Sequence, residues 1–360
     1  MPLVKLAFLA LLSLLFVSPV NALVVLQYHH VDIGTPSSTS VSPEQFIEHM
    51  QLVESLGFEV VDLETATKAL LNPINKDAAI NPIIDITSKQ VAISFDDAYE
   101  SIFINAYPEL KRRNWPFTIF INTQAVNEKH KGIMNWAQIQ TLVDDGVTIA
   151  NHSVTHAHLP LIPESLSLEE WLEQEIGQSQ KELQRRLGKV STMLAYPYGE
   201  FSLNVFPWLK ARGILAFGQQ SGPIGPLSHP QALSRFPASG IYADMETLKL
   251  KILSLALPLS DSDLQEPVIS AEHNPPKLIL TLTNSDYDPR RLQCFASQQG
   301  AIDTEVDTAQ DTIILVTQAP QPLTGSRGRY NCTVPSAQPG RFYWYSQPWQ
   351  MITSEKSESH

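Results

Sequence analysis

Three short clusters place proton-transferring or metal-ligating side chains directly after apolar runs. The first is Ser94-Phe95-Asp96-Asp97-Ala98. Neighbouring side chains at a strand end diverge, so one carboxylate can bind a cation while the other reaches an attacking water. The plainer reading is an Asp pair that starts the next helix. The second cluster is His152-Ser153-Val154-Thr155-His156, with His158 just beyond. Two imidazoles four positions apart converge on one ion if the segment turns helically; the alternative is a polar loop. A carboxylate and two imidazoles suit zinc first, with nickel, cobalt or iron as substitutes, and leave positions open for water. That set describes metal-assisted hydrolysis. The third cluster is Ala195-Tyr196-Pro197-Tyr198-Gly199-Glu200. Aromatics around Pro and Gly can wall a sugar site and expose a backbone N–H toward a developing oxyanion, or they form an ordinary turn over core aromatics.

Each cluster needs a strand end to hold it, and the surrounding pattern supplies one. Residues 23–28 read as a buried strand, and 43–56 as a helix with Ser42 at the N-cap, Pro43 at its first position and Gly57 closing it. Strands follow at 91–95, 117–121, 147–150, 192–196 and 214–217, and helices at 99–113, 135–145, 168–187 and 203–212. Strands separated by helices mean a parallel sheet, and this many repeats predicts a distorted (β/α) barrel with its chemistry at the C-terminal strand ends. Residues 70–89 have no clear period and read as a surface excursion.

From residue 274 the pattern changes to short β-branched and aromatic runs at 277–283, 312–317, 329–334 and 342–345, predicting a small all-β sandwich. The division expected is a leader at 1–22, a barrel at 23–257, a linker at 258–273, the sandwich at 274–352 and a disordered tail at 353–360. In the leader, Lys5 precedes the apolar run 6–17 and a small residue, Ala22, where cleavage is expected; the run is too short to span a bilayer comfortably. No second apolar stretch of spanning length follows, so the mature chain is expected to be exported and soluble, in a periplasm, outside the cell or at the envelope. In that oxidising setting Cys294 and Cys332, the two cysteines of the chain, are expected to form a disulfide, with a chain-entropy gain of about 4 kcal/mol. The 360 residues carry 25 basic and 37 acidic side chains, a formal net charge of -12, which argues against a nucleic-acid partner.

Taken together, the three clusters resemble the polysaccharide deacetylases of the NodB-homology family (carbohydrate esterase family four), over roughly residues 23–250. The resemblance implies that Asp96 is the general base, that Asp97, His152 and His156 hold a divalent metal, and that the Tyr198 main-chain N–H helps bind the oxyanion. Two departures stand out. Ala98 replaces the usual Gly, and Ala195 occupies the place of an Arg that braces the base in many members, so that support is absent or supplied differently. No Leu-x-His motif for the general acid is found late in the barrel. Instead Leu26-Gln27-Tyr28-His29-His30-Val31 resembles the opening of the secreted poly-β-1,6-N-acetylglucosamine de-N-acetylases, whose barrel is circularly permuted. That likeness makes His29 the candidate acid, with His30 as substitute. Tyr196, Pro197, Trp115, Trp136 and Tyr99 are the candidate sugar contacts, or core. The function implied is removal of acetyl groups from N-acetylated sugars of an extracytoplasmic polysaccharide. O-acetyl ester hydrolysis and non-catalytic glycan binding are the alternatives.

Overall fold

The computed structural model describes residues 22–71, 89–260, 264–309 and 312–351. The expected leader, apart from its last residue, lies outside the described residues, as do residues 72–88 of the expected excursion and the tail at 353–360. Among the described residues no helix is long and apolar enough to cross a membrane.

The N-terminal sheet is wholly parallel. Its strands are β1 (Leu23–Tyr28), β2 (Gln90–Asp96), β3 (Thr118–Ile121), β4 (Thr148–Asn151), β5 (Met193–Ala195), β6 (Leu215–Phe217) and β7 (Phe236–Pro237), in the order β7-β1-β2-β3-β4-β5-β6. The short strand Glu59–Val60 pairs with β2 off this path. Every residue of β1 and β2 is buried, as a parallel sheet covered on both faces requires. The registers Tyr28↔Phe95, Asp96↔Phe120 and Ile121↔Asn151 bring the C-terminal strand ends to one level.

The sheet curls until its edges meet through one segment. Leu233 makes a parallel bridge to Phe217 at the end of β6, and Phe236 and Pro237 pair with Leu26 and Gln27 of β1. A two-residue strand ending in Pro carries no periodic signal, so sequence pattern does not disclose β7. Period-two alternation sends Leu23, Val25, Ala92, Phe120 and Leu233 into one interior cluster. The same alternation turns Gln27, Asp96 and Arg235 to the buried interior. The helix Leu63–Leu71, also unanticipated, adds Leu63, Ala66 and Leu70 to that cluster.

The expected helices form with adjustments. In Pro43–Ser55 the Ser42 hydroxyl accepts the Gln45 N–H at 3.1 Å and Pro43 takes the first turn. The expected helix at 168–187 contains a π-helical turn at Glu173–Gly177 between α-helical halves, and the one at 99–113 a π turn at Ile102–Ala106.

The C-terminal domain is two facing sheets around one apolar core. Lys277–Thr283 and Thr312–Gln318 alternate buried and exposed side chains, burying Leu278, Leu280, Leu282, Ile313 and Leu315 against Tyr330, Val334 and Trp349 of the other sheet. Leu255–Ala256 pair with Tyr343–Trp344, so residues ahead of the expected 257 boundary lie in this second sheet. Leu259 bridges Leu282 and Val268 bridges Gln350, which ties down the stretch expected to be a linker. Cys294 and Cys332 are joined by a disulfide and sit directly opposite each other on neighbouring strands of one sheet.

Candidate active site

The three clusters meet at the C-terminal mouth of the barrel, in a cleft of about 640 Å3 lined by His29, Asp97, Tyr99, His156, Tyr198 and Arg327 among others. Asp97 follows the end of β2, and His152 and His156 follow β4. The Asp97 Oδ1 lies 3.4 Å from His152 Nε2 and 3.3 Å from His156 Nε2, and one ligand atom from each residue falls within 4.8 Å of the others. His152 Nδ1 is 2.8 Å from the Ala195 carbonyl, which assigns the proton to Nδ1 and leaves the Nε2 lone pair aimed at Asp97. That Nε2 atom is buried with no hydrogen-bond partner. A buried acceptor of this kind costs about 1–3 kcal/mol unless something binds it, and an oriented imidazole beside a carboxylate is what a divalent cation takes. The donor set therefore fits a metal.

Electrostatics agree. Burial alone would raise the Asp97 carboxyl, but the adjacent His152, with His156 and His29 nearby, holds it well below the usual carboxylate range. Burial and the neighbouring His152 push His156 down to about 4, so its imidazole is neutral and ligand-competent near pH 7.

Asp96 occupies the barrel interior and is fully buried. Burial would raise its carboxyl, but the Arg235 guanidinium beside it brings the net shift below the ordinary value. Arg235 Nη1 donates to Oδ1 at 2.7 Å and Nη2 to Oδ2 at 2.9 Å, and Gln27 Nε2 donates to Oδ2 at 2.6 Å. Sequence reasoning missed both partners of this carboxylate. The brace that Ala195 cannot provide comes from the seam segment after β6. The available signal was a lone charge inside the apolar stretch Leu233-Ser234-Arg235-Phe236, because a buried arginine demands an acidic partner.

His29 Nε2 stands 3.9 Å from Asp96 Oδ2, with its side chain 18% exposed to the cleft. His30 does not share this position. It is buried, stacks on Tyr99 with centroids 3.5 Å apart, and is pushed down to about 4 by burial and by His29. Of the adjacent pair, His29 is the one beside Asp96.

The third cluster forms a tight loop. Tyr198 has φ 59° and ψ 2°. Asp97, Ala98, Ser153 and His156 share the left-handed region, all just past the ends of β2 or β4. Such conformations cost non-glycine residues about 1–2 kcal/mol each, and their clustering marks a site that the surrounding fold over-determines. At Ala98, φ 57° is a conformation that glycine adopts at least cost, so the alanine there carries part of this strain.

Several expected sugar contacts lie elsewhere. Tyr196 is fully buried with its hydroxyl donating to the Gln231 carbonyl, and Pro197 is buried beside it. Trp115 packs under Arg113 in a separate depression with Tyr107 and Asp145. Trp136 is taken up by Asn127 and Arg186. Each satisfies its aromatic face locally, so none lines the cleft. Tyr99 does. In the C-terminal domain, Tyr343 and Trp349 are core and Trp344 packs on Phe236 of the barrel, so the aromatic run there is structural.

Comparison with known proteins agrees with this geometry. Residues 84–216 match the family described as polysaccharide deacetylase. Over that segment the chain carries a polysaccharide deacetylase domain of the NodB-homology type, a class of hydrolases. It is 24% identical over 220 residues to the putative polysaccharide deacetylase YxkH of Bacillus subtilis, covering 61% of this chain and 68% of that protein. It is 28% identical over 155 residues to a poly-beta-1,6-N-acetyl-D-glucosamine N-deacetylase of Staphylococcus aureus, covering 41% of this chain and 53% of that protein, so it spans about half the length of the staphylococcal relatives. Among solved structures it resembles IcaB from Ammonifex degensii, with a TM-score of 0.54, 25% identity, and coverage of 64% of this chain and 97% of that one. The deacetylase PplD of Streptococcus pyogenes shares the fold, with a TM-score of 0.54, 20% identity, and coverage of 65% and 99%.

Proposed function

We propose that the chain is an exported, metal-dependent hydrolase that removes acetyl groups from N-acetylated sugars of an extracytoplasmic polysaccharide, with poly-N-acetylglucosamine as its candidate substrate. One observation carries the reading: Asp96, braced and charged, is the chain neighbour of Asp97, which meets His152 and His156, and has His29 Nε2 3.9 Å from its own carboxylate. Asp97, His152 and His156 would hold the ion, zinc by the nature of the donors, and when bound it supplies Lewis acidity and a more acidic water.

The residues divide the remaining work. Asp96 takes the proton of the attacking water, and its three hydrogen bonds keep the carboxylate ionised and oriented for that. The Tyr198 N–H donates to the oxyanion of the tetrahedral intermediate. His29 gives a proton to the departing sugar amine, which an amide leaving group needs and an ester needs far less. The candidate glycan rests on the staphylococcal and IcaB likenesses, and export on the leader pattern.

The test is acetate release from β-1,6-linked N-acetylglucosamine oligomers and from acetylated xylan, before and after chelation and zinc replacement. Zinc-restored release from the N-acetylated oligomers is expected. Release from xylan alone would select the O-acetyl reading, and no release from any glycan by the metal-loaded protein would overturn the assignment.

A further inference from the structure

The all-β domain reaches into the cleft through Arg327, the first residue of the strand Arg327–Pro335. Its Nη1 donates to the Tyr198 carbonyl at 2.9 Å, its Nε lies 3.7 Å from Glu200 Oε1, and its guanidinium sits 5.8 Å from the centre of the Tyr198 ring. We infer that Arg327 is a positioning residue for the loop that carries the oxyanion-binding N–H, so that the C-terminal domain completes the active site of the barrel. This rests on the deacetylase reading above, and on the role it gives the Tyr198 N–H.

The physical case starts with the backbone. A tyrosine at φ 59° keeps that conformation only where its neighbours enforce it. From the ring side, His158 stacks on Tyr198 with centroids 4.1 Å apart and planes 11° apart, and His156 meets it edge-on at 4.5 Å. From the main-chain side, Gly199 leaves no room to shift, since a Cβ there would sit 2.6 Å from the Gln219 backbone nitrogen. The Tyr198 carbonyl is the remaining handle, and Arg327 holds it. The Pro197 carbonyl accepts the Glu200 N–H at 3.1 Å, so the plane that carries the Tyr198 N–H is held from one side and the carbonyl after it from the other; together they aim the N–H, which is what preorganised oxyanion binding requires.

Charge is arranged to the same end. Glu200 is buried next to this loop, and its carboxylate would oppose a developing oxyanion. Arg327 close beside it offsets that charge, and His158 Nδ1 hydrogen-bonds the carboxylate at 2.5 Å. Arg327 can be relied on to stay in reach because the domains are fastened together around it. Arg329 Nη1 donates to the Ser221 hydroxyl at 3.1 Å, Arg341 Nε to the Leu253 carbonyl at 2.9 Å, and Trp344 packs edge-on against Phe236 at 5.4 Å.

The experiment compares the full chain with Arg327→Ala, Arg327→Lys and Arg329→Ala, reading kcat and KM for acetate release, zinc content and melting temperature. Arg327→Ala is expected to lower kcat about tenfold or more, with KM within twofold and zinc content unchanged. Arg327→Lys, which keeps a cationic donor, recovers part of kcat, and Arg329→Ala, which loosens only the docking, stays within twofold. A wild-type chain that releases no acetate defeats the deacetylase reading itself. With an active wild type, an Arg327→Ala kcat within twofold overturns the inference. A rise in KM alone overturns it too, by making Arg327 a glycan contact, and so does an equal kcat loss in Arg327→Lys and Arg329→Ala that tracks a lowered melting temperature.

Discussion

Arg235 and Asp96, 139 positions apart in the chain, form a two-pronged ion pair at 2.7 and 2.9 Å with neither side chain exposed. Arg235 is carried by the segment that joins the two edges of the barrel sheet, so this one contact both holds the Asp96 carboxylate and pins the seam. Breaking a buried pair by removing one partner typically costs about 3–5 kcal/mol, because the other charge is left uncompensated. Arg235→Met is expected to lower stability by that amount in urea denaturation, and Arg235→Met with Asp96→Asn to recover a good part of it. Additive losses in the double variant would show that the two residues do not act as a pair.

In the proposed site the metal would be held through Asp97, which lies 3.4 and 3.3 Å from the two histidines. Asp97→Ala is expected to abolish stoichiometric zinc and acetate release together, while circular dichroism stays native. Its affinity loss should exceed the roughly 10–100-fold that follows removal of a supporting partner behind a ligand. Full zinc content in the purified variant would exclude the site.

His29 is separable from the metal set by choice of substrate. Losing a general acid typically costs about 10²- to 10⁴-fold. His29→Gln is expected to show a loss of that order on N-acetylglucosamine oligomers and a much smaller one on an aryl acetate, whose leaving group departs without a proton. Equal losses on both substrates would remove His29 from the acid role. His30→Gln, with its ring stacked on Tyr99 away from Asp96, should not reproduce the split.

Stability should depend on pH through Lys251. This lysine is 3% exposed, donates to the Pro237 carbonyl at 2.8 Å, and is pushed down to about 7 by burial, with Arg329 adding to the effect. The unfolded chain keeps that proton up to the ordinary lysine value near 10.5, so between these limits it holds more protons than the folded one. Stability therefore rises as pH climbs from about 7 to about 10, and the burial penalty is fully present below 7. The melting-temperature difference between the wild type and Lys251→Met should shift in the wild type's favour over that range. A constant difference would contradict the assignment.

Much of the site is legible in the amino-acid sequence, for a local reason. Asp96 and Asp97 are neighbours, His152 and His156 lie four apart, and Tyr198 follows its own strand within a few residues, so each cluster is written inside one strand end. Alternation of buried strands and amphipathic helices then implies a parallel barrel, and the barrel brings those ends together. The same alternation in Lys277–Thr283 and Thr312–Gln318 exposes the second, all-β domain.

Tertiary structure alone decided what crosses long separations. The strand Phe236–Pro237 is too short to leave a period, yet it closes the sheet and delivers Arg235 to Asp96. Arg327 reaches Tyr198 from another domain, 129 positions away. Aromaticity, by contrast, said nothing about direction: Trp115, Trp136 and Tyr196 have the chemistry of a sugar platform, and packing turned each of them elsewhere. Local spacing encodes which groups share a strand end, whereas the partner of a buried charge and the facing of a ring depend on how the sheet closes and what docks against it.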